Sequence, residues 1–219
     1  MINAASLQFL YELSQNNNKD WFDKNKARYE ADLKKPWEAT VAAIIERIKA
    51  FEPDLQSTAK ESIPRIYRDT RFSTNKSPYK TNVAAIINPG GKKAVDVPGY
   101  YIHLEFGNLM IGGGAYQLEK VPLHRIRTAI AQDPETFMEL VQATDFVQKF
   151  GEIKGEQNKV LPPEFKELKA KYPLIAQKQF YFMAEMDPEI AVRPDFPEFV
   201  AEYCASSASL VNFLRQSIL

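Results

Sequence analysis

Between residues 81 and 111 the chain leaves the helical period that governs both of its ends, and this change of period most restricts its fold. Tyr101, His103 and Glu105 alternate with Ile102, Leu104 and Phe106, the two-residue repeat of a half-buried strand. Residues 81–87 read as a second strand, ended by Asn88-Pro89-Gly90-Gly91. Gly107-Asn108 predicts a two-residue hairpin turn into 109–111, with glycine supplying positive φ at the first turn position. Gly112-Gly113-Gly114 then leaves a stretch of backbone bare, at a bulge or where something approaches closely. Residues 63–68 read as another strand, entering a loop over 70–78, and 180–183 as a late one.

The flanks are helical. Leu7, Leu10, Tyr11 and Leu13, with Phe9 alongside, suit one buried face over 5–14. Asn16-Asn17-Asn18 ends that helix and caps the next. The next spans about 19–33, with Trp21, Phe22, Ala27, Tyr29 and Leu33 inward. Pro36 breaks it or starts its successor, which carries Trp37, Val41, Ile44, Ile45 and Ile48 to about 51. Helices return over 118–131, with Val121, Ile126, Ala129 and Ile130 on one side. Asp133-Pro134-Glu135 opens another to about 150. After a polar loop over 151–163 come short helical turns and a final helix over about 197–218. This order predicts an α+β fold, a single domain over 1–219, with short, mostly antiparallel central strands flanked by helices at both chain ends.

Lys+Arg and Asp+Glu both number 28, so the formal net charge is zero and a chain-wide footprint for nucleic acid is absent. Nucleic acid is therefore a less favoured partner than a small anion. The lone cysteine, Cys204, excludes an intramolecular disulfide and fits a reducing compartment. The first residues lack the pattern of a signal peptide, and no apolar run is long enough to span a membrane. A cytoplasmic location is expected. Nothing bears on oligomeric state, and no motif assigns a cofactor or a metal.

Charge is balanced overall but not locally. Residues 64–87 hold Arg65, Arg68, Arg71, Lys76 and Lys80 against one acid, Asp69, with Tyr67 and Tyr79 interleaved. Guanidinium forks suit carboxylate and phosphate, so Arg65, Arg68, Asp69, Arg71, Lys76, Tyr79 and Lys80 form the candidate ligand-binding set. In an extended segment Arg65 and Arg68 face opposite ways, so convergence needs the loop to fold back, and Ser77-Pro78 offers such a turn. The structural alternative pairs Asp69 with one arginine and lays the others over rings such as Tyr67 or Phe72.

The other constellations are weaker. Ser73-Thr74-Asn75-Lys76 reads S-x-x-K, but the S-D-N element and a true K-T-G strand are absent. His103 and Glu105 share a strand face without a third ligand, which favours a polar, solvated face over a metal. Gly112–Gly114 matches no nucleotide-binding pattern. Cys204 suits a small buried helix residue better than a nucleophile.

The segments FLYELSQNNNKDWFDKNKARYE, PRIYRDTRFSTNKSPYKTN, GYYIHLEFGNLMIGGGAY and KVPLHRIRTAI, in this order, resemble the domain of unknown function 2461 family of conserved hypothetical proteins. So does LPPEFKELKAKYPLIAQKQFYF, and the resemblance covers roughly 9–183. Pro162-Pro163-Glu164 departs from it, standing where the family more often has a basic residue and glycine. The resemblance implies a single-domain cytoplasmic protein and supplies no activity, cofactor or catalytic residue. Three readings follow from the residues. The first is a binding module for an anionic ligand. The second is an enzyme acting on a phosphorylated or carboxylated small molecule, with Asp69 or Glu105 as general acid or base. The third is a scaffold whose charged motif only holds strands together.

Overall fold

A computed structural model describes residues 1–218 as an α+β fold. Helix α1 (Ala4–Gln15) starts at Asn3, whose side chain accepts from the Ala5 and Ser6 amides while Ser6 reciprocates. It buries Phe9, Leu10 and Leu13, but Tyr11 faces outward at 40 % exposure and packs on Phe106. Asn18 caps α2 (Lys19–Lys24).

The single helix expected over 19–33 is instead α2, α3 (Lys26–Arg28) and a π-helical turn over Tyr29–Lys34 that runs directly into α4 (Lys35–Ile48). Ala27, expected inward, is exposed. Pro36 explains the π turn. Proline has no amide proton for the carbonyl four residues back and crowds it. That carbonyl, Asp32 O, accepts from Ser6 Oγ at 2.5 Å instead. A short α5 (Ala59–Ser62) follows.

The strands are β1 (Asn82–Ile87), β2 (Gly99–Glu105), β3 (Asn108–Ala115) and β4 (Phe180–Met186), antiparallel throughout in the order β1-β2-β3-β4. Glu105 pairs with Asn108, so the hairpin turns on Phe106 and Gly107, not Gly107 and Asn108. Gly107 takes φ +83° at the second turn position, the one a type II turn reserves for glycine. The strand expected over 63–68 reduces to a Tyr67–Tyr79 bridge, with Arg68 N donating to Pro78 O and Lys80 N to Ile66 O. Pro64 and Pro78 cannot donate to a ladder and so keep it short.

The glycines extend β3. Gly112 and Gly114 pair with Met183 and Tyr181 of β4. A Cβ on Gly114 would lie 2.1 Å from the Phe180 carbonyl oxygen, and Gly114 has φ +99°. Close approach of β4, not an open phosphate cradle, therefore accounts for this run.

Beyond the sheet lie α6 (Lys120–Gln132), α7 (Pro134–Gln142), α8 (Thr144–Phe150), α9 (Pro163–Lys166) and α10 (Phe196–Ile218). The helix expected from 133 to 150 breaks at Ala143, which turns to ψ 132°. Val121 opens the first turn of α6 and is 65 % exposed rather than inward. Tyr100, Ile102, Leu104, Leu109, Ile111, Phe180 and Phe182 form the inner sheet face and are 0–1 % exposed. Helix α10 crosses β2 and β3, while Phe137 of α7 and Phe146 and Phe150 of α8 pack on Phe180 and Phe182. No helix among the described residues is long and apolar enough to cross a membrane.

Because Gly114 combines a positive φ with backbone contact, Gly114→Ala is expected to cost roughly 2–5 kcal/mol. Urea unfolding of the two proteins measures this directly, and a loss under about 1 kcal/mol would contradict the packing described.

Candidate anion-binding cleft

The basic segment is held in place by Asn17. Its side-chain amide donates to Tyr79 O at 2.9 Å and accepts from Tyr79 N at 3.1 Å, pairing with that backbone as a neighbouring strand would. The Tyr79 ring, 4 % exposed, stacks on Phe22 of α2 with centroids 3.9 Å apart. Tyr79 thus belongs to the hydrophobic core.

The remaining members of the candidate set divide in two. Arg71 forks onto Asp69 at the exposed loop surface and lies over Phe72. That pairing holds the Asp69 carboxyl below its usual range and raises the Arg71 guanidinium. Arg68 donates to Ser77 O at 3.2 Å and Lys76 to Thr70 O at 2.9 Å, so both close the loop on itself. These residues form the structural network and do not converge on one point. Lys76 held by a loop carbonyl also leaves the S-x-x-K match without a helix or a catalytic geometry.

Arg65 and Lys80 differ. The Ile66–Lys80 pairing brings them together at a concave cleft of about 790 Å³ between the N-terminal helices and the start of the sheet. Six cations line it, Lys26, Lys34, Lys60, Arg65, Lys80 and Lys92, against three carboxylates, Glu30, Glu38 and Asp69. Lys34 is paired with Glu30 at 2.9 Å, and Lys92 donates to the Lys60 and Ile63 carbonyls. Among the described residues, the side chains of Lys26, Lys60 and Lys80 are not engaged by an acid in the cleft, while Arg65, exposed, acts on Asp69 at longer range and helps to lower its carboxyl. Lys80 is half-buried, and burial, with Arg65 beside it, pushes its ammonium below the ordinary lysine value. Tyr29 also faces the cleft, and burial pushes its hydroxyl up to about 12, so it stays a proton donor at neutral pH. Lys26, Lys60 and Tyr29 were not legible as site residues, because helical spacing accounts for Tyr29 as core and no local pattern marks the lysines.

His103 and Glu105 lie outside this cleft. Alternation places them on one face of β2, yet His103 is 6 % exposed rather than solvated. Its Nδ1 is 3.0 Å from the Tyr101 hydroxyl and its Nε2 is 3.5 Å from Glu105. Burial holds the imidazole below its ordinary value of 6.5, against the opposing pull of Glu105. No three His, Cys, Asp or Glu side chains among the described residues are grouped as a metal would need. Cys204 is buried in α10, and burial pushes its thiol up, away from the reactive thiolate.

Fold and cleft together define an α+β protein with a concavity in which basic side chains outnumber acidic ones. The chain belongs to the family described as conserved hypothetical protein DUF2461, whose model matches residues 5–213. No curated protein and no solved structure matches it.

Two expectations follow from these contacts. Asn17→Ala strands the Tyr79 backbone groups and is expected to cost about 1–3 kcal/mol by denaturant unfolding, whereas Arg71→Ala, at an exposed pair, leaves the midpoint essentially unmoved. A lowered histidine value means that the unfolded chain binds more protons, so this contribution is full above about 6.5 and is lost as pH falls through the folded value. Unfolding midpoints measured between about pH 7 and 5 should fall less steeply in His103→Leu than in wild type.

Proposed function

We propose that this protein binds a small phosphate- or carboxylate-bearing molecule in the cleft where Arg65 and Lys80 meet. The observation that carries the reading is Lys80: a half-buried ammonium, beside a second cation, with no acid to neutralise it. Such an arrangement lowers stability unless an anion completes it. Arg65 offers a fork for two oxygens, Tyr29 a neutral donor, and Lys26 and Lys60 a positive rim. A volume near 790 Å³ suits a metabolite-sized ligand. Zero net charge favours a small anion over a nucleic-acid backbone. Binding is preferred to turnover, because Asp69 is engaged by Arg71 and Glu105 lies outside the cleft. One contiguous core supports a single domain over 1–219, and the buried free thiol suits the reducing cytoplasm.

Thermal unfolding against inorganic phosphate, nucleoside monophosphates and dicarboxylates tests the reading. A ligand at 100 times its dissociation constant adds about 2.7 kcal/mol, which raises the midpoint visibly. Lys80→Met should abolish that rise, and it should also raise the midpoint of the free protein by relieving the uncompensated charge. A panel without effect on wild type, or a shift that persists in both Lys80→Met and Arg65→Ala, would refute the proposal.

A further inference from the structure

The outer face of the sheet carries a second concavity, which shares no lining residue with the basic cleft. Strand register places Ile86, Tyr101, Gly112 and Met183 in one row across all four strands. The adjoining row on that face contains Gly99, Gly114 and Tyr181, and the row on the other side Ala84, His103, Met110 and Glu185. An antiparallel sheet with one solvated face usually presents polar side chains there. This one presents isoleucine, methionines and tyrosines around glycines that lower the floor, and the hollow measures about 520 Å³. Tyr116 stands over Tyr181 edge to face, with centroids 5.1 Å apart, as an aromatic wall.

The polar anchor of this hollow is a chain along β2. Glu105 lies 3.5 Å from His103 Nε2, and His103 Nδ1 lies 3.0 Å from the Tyr101 hydroxyl, whose residue lines the hollow. His103 is 6 % exposed and its Nε2 makes no hydrogen bond. A carboxylate beside Nε2 favours the tautomer with its proton there, which leaves Nδ1 to accept from Tyr101. The lone pairs of the Tyr101 oxygen are then free to accept from a ligand. The charged side chains of the lining are one lysine, Lys154, and one glutamate, Glu185, and Lys154 already donates to Met183 O at 3.2 Å.

We infer that this hollow is a second binding site, for an uncharged planar ring compound that stacks on the tyrosine wall and donates an N–H or O–H to Tyr101. Charge balance of the lining sets the ligand's neutrality, the aromatic wall its planarity, and the orientation of Tyr101 its donor.

Indole and N-methylindole, which differ in the N–H alone, are suitable probes for the intact protein. Methyl-labelled methionine resonances report location, because Met110 and Met183 line the hollow and the other three of the five methionines do not. Indole should shift Met110 and Met183 saturably, and N-methylindole should bind roughly fivefold more weakly. Tyr101→Phe should remove that difference while both probes still bind. Absence of a saturable shift, equal shifts at Met1, Met138 and Met186, or equal affinity of the two probes for wild type would overturn the inference. Shifts of Met110 and Met183 with protein concentration alone would also overturn it, by identifying the face as a contact between copies.

Discussion

The strict alternation of side chains along four antiparallel strands is the constraint on which the rest of the molecule depends. It sends Tyr100, Ile102, Leu104, Leu109, Ile111, Phe180 and Phe182 beneath the helices, where all are almost completely buried. At about 25 cal/mol for each Å² of apolar surface removed from water, this face is a major source of folding free energy. The same alternation must place an equal set of residues on the opposite face. There the glycines of β3 do two things at once: they admit β4 at close range, and they leave a hollow bounded by Tyr101, Tyr181 and Met183.

A second structural unit is built on the first. The segment around Tyr79 leads into β1 with its backbone paired to the Asn17 side chain and its ring stacked on Phe22. Those contacts are long-range, joining the start of the chain to the edge of the sheet. They set the direction in which Lys80 leaves the core and so bring it beside Arg65. The loop beyond consumes its own charges: Arg71 takes Asp69, while Arg68 and Lys76 take carbonyls. What is left over is the half-buried Lys80 beside the exposed Arg65, and burying an ammonium next to a like charge costs stability.

Much of the fold was legible. The period-two run marked β2 and its buried face at Ile102 and Leu104, although Phe106, expected on that face, lies in the turn and is exposed, and helical spacing marked α1, α4 and α10. The errors have local physical causes. Tyr11 and Val121 fit a helical stripe but lie beyond the surface their helices bury, because a stripe drawn from sequence has no known width. The π turn before Pro36 depends on Ser6 taking the Asp32 carbonyl, a contact twenty-six positions away. In the hairpin, Gly107 was correctly seen as the turn glycine, but pairing of Glu105 with Asn108 set the turn one residue earlier.

The amino-acid sequence by itself determined the α+β order of elements, the two-faced character of β2, the excess of positive charge over 64–87 and membership of a recognisable family. These are properties of spacing and composition, which any window of the chain carries locally. Only the tertiary structure decided which charges are free. Arg65, Arg68, Arg71, Lys76 and Lys80 are chemically similar along the chain, and they are distinguished by partners within residues 69–77 and, for Lys80, by burial. Lys26, Lys60 and Tyr29 join Arg65 and Lys80 through chain closure over distances that no local pattern encodes.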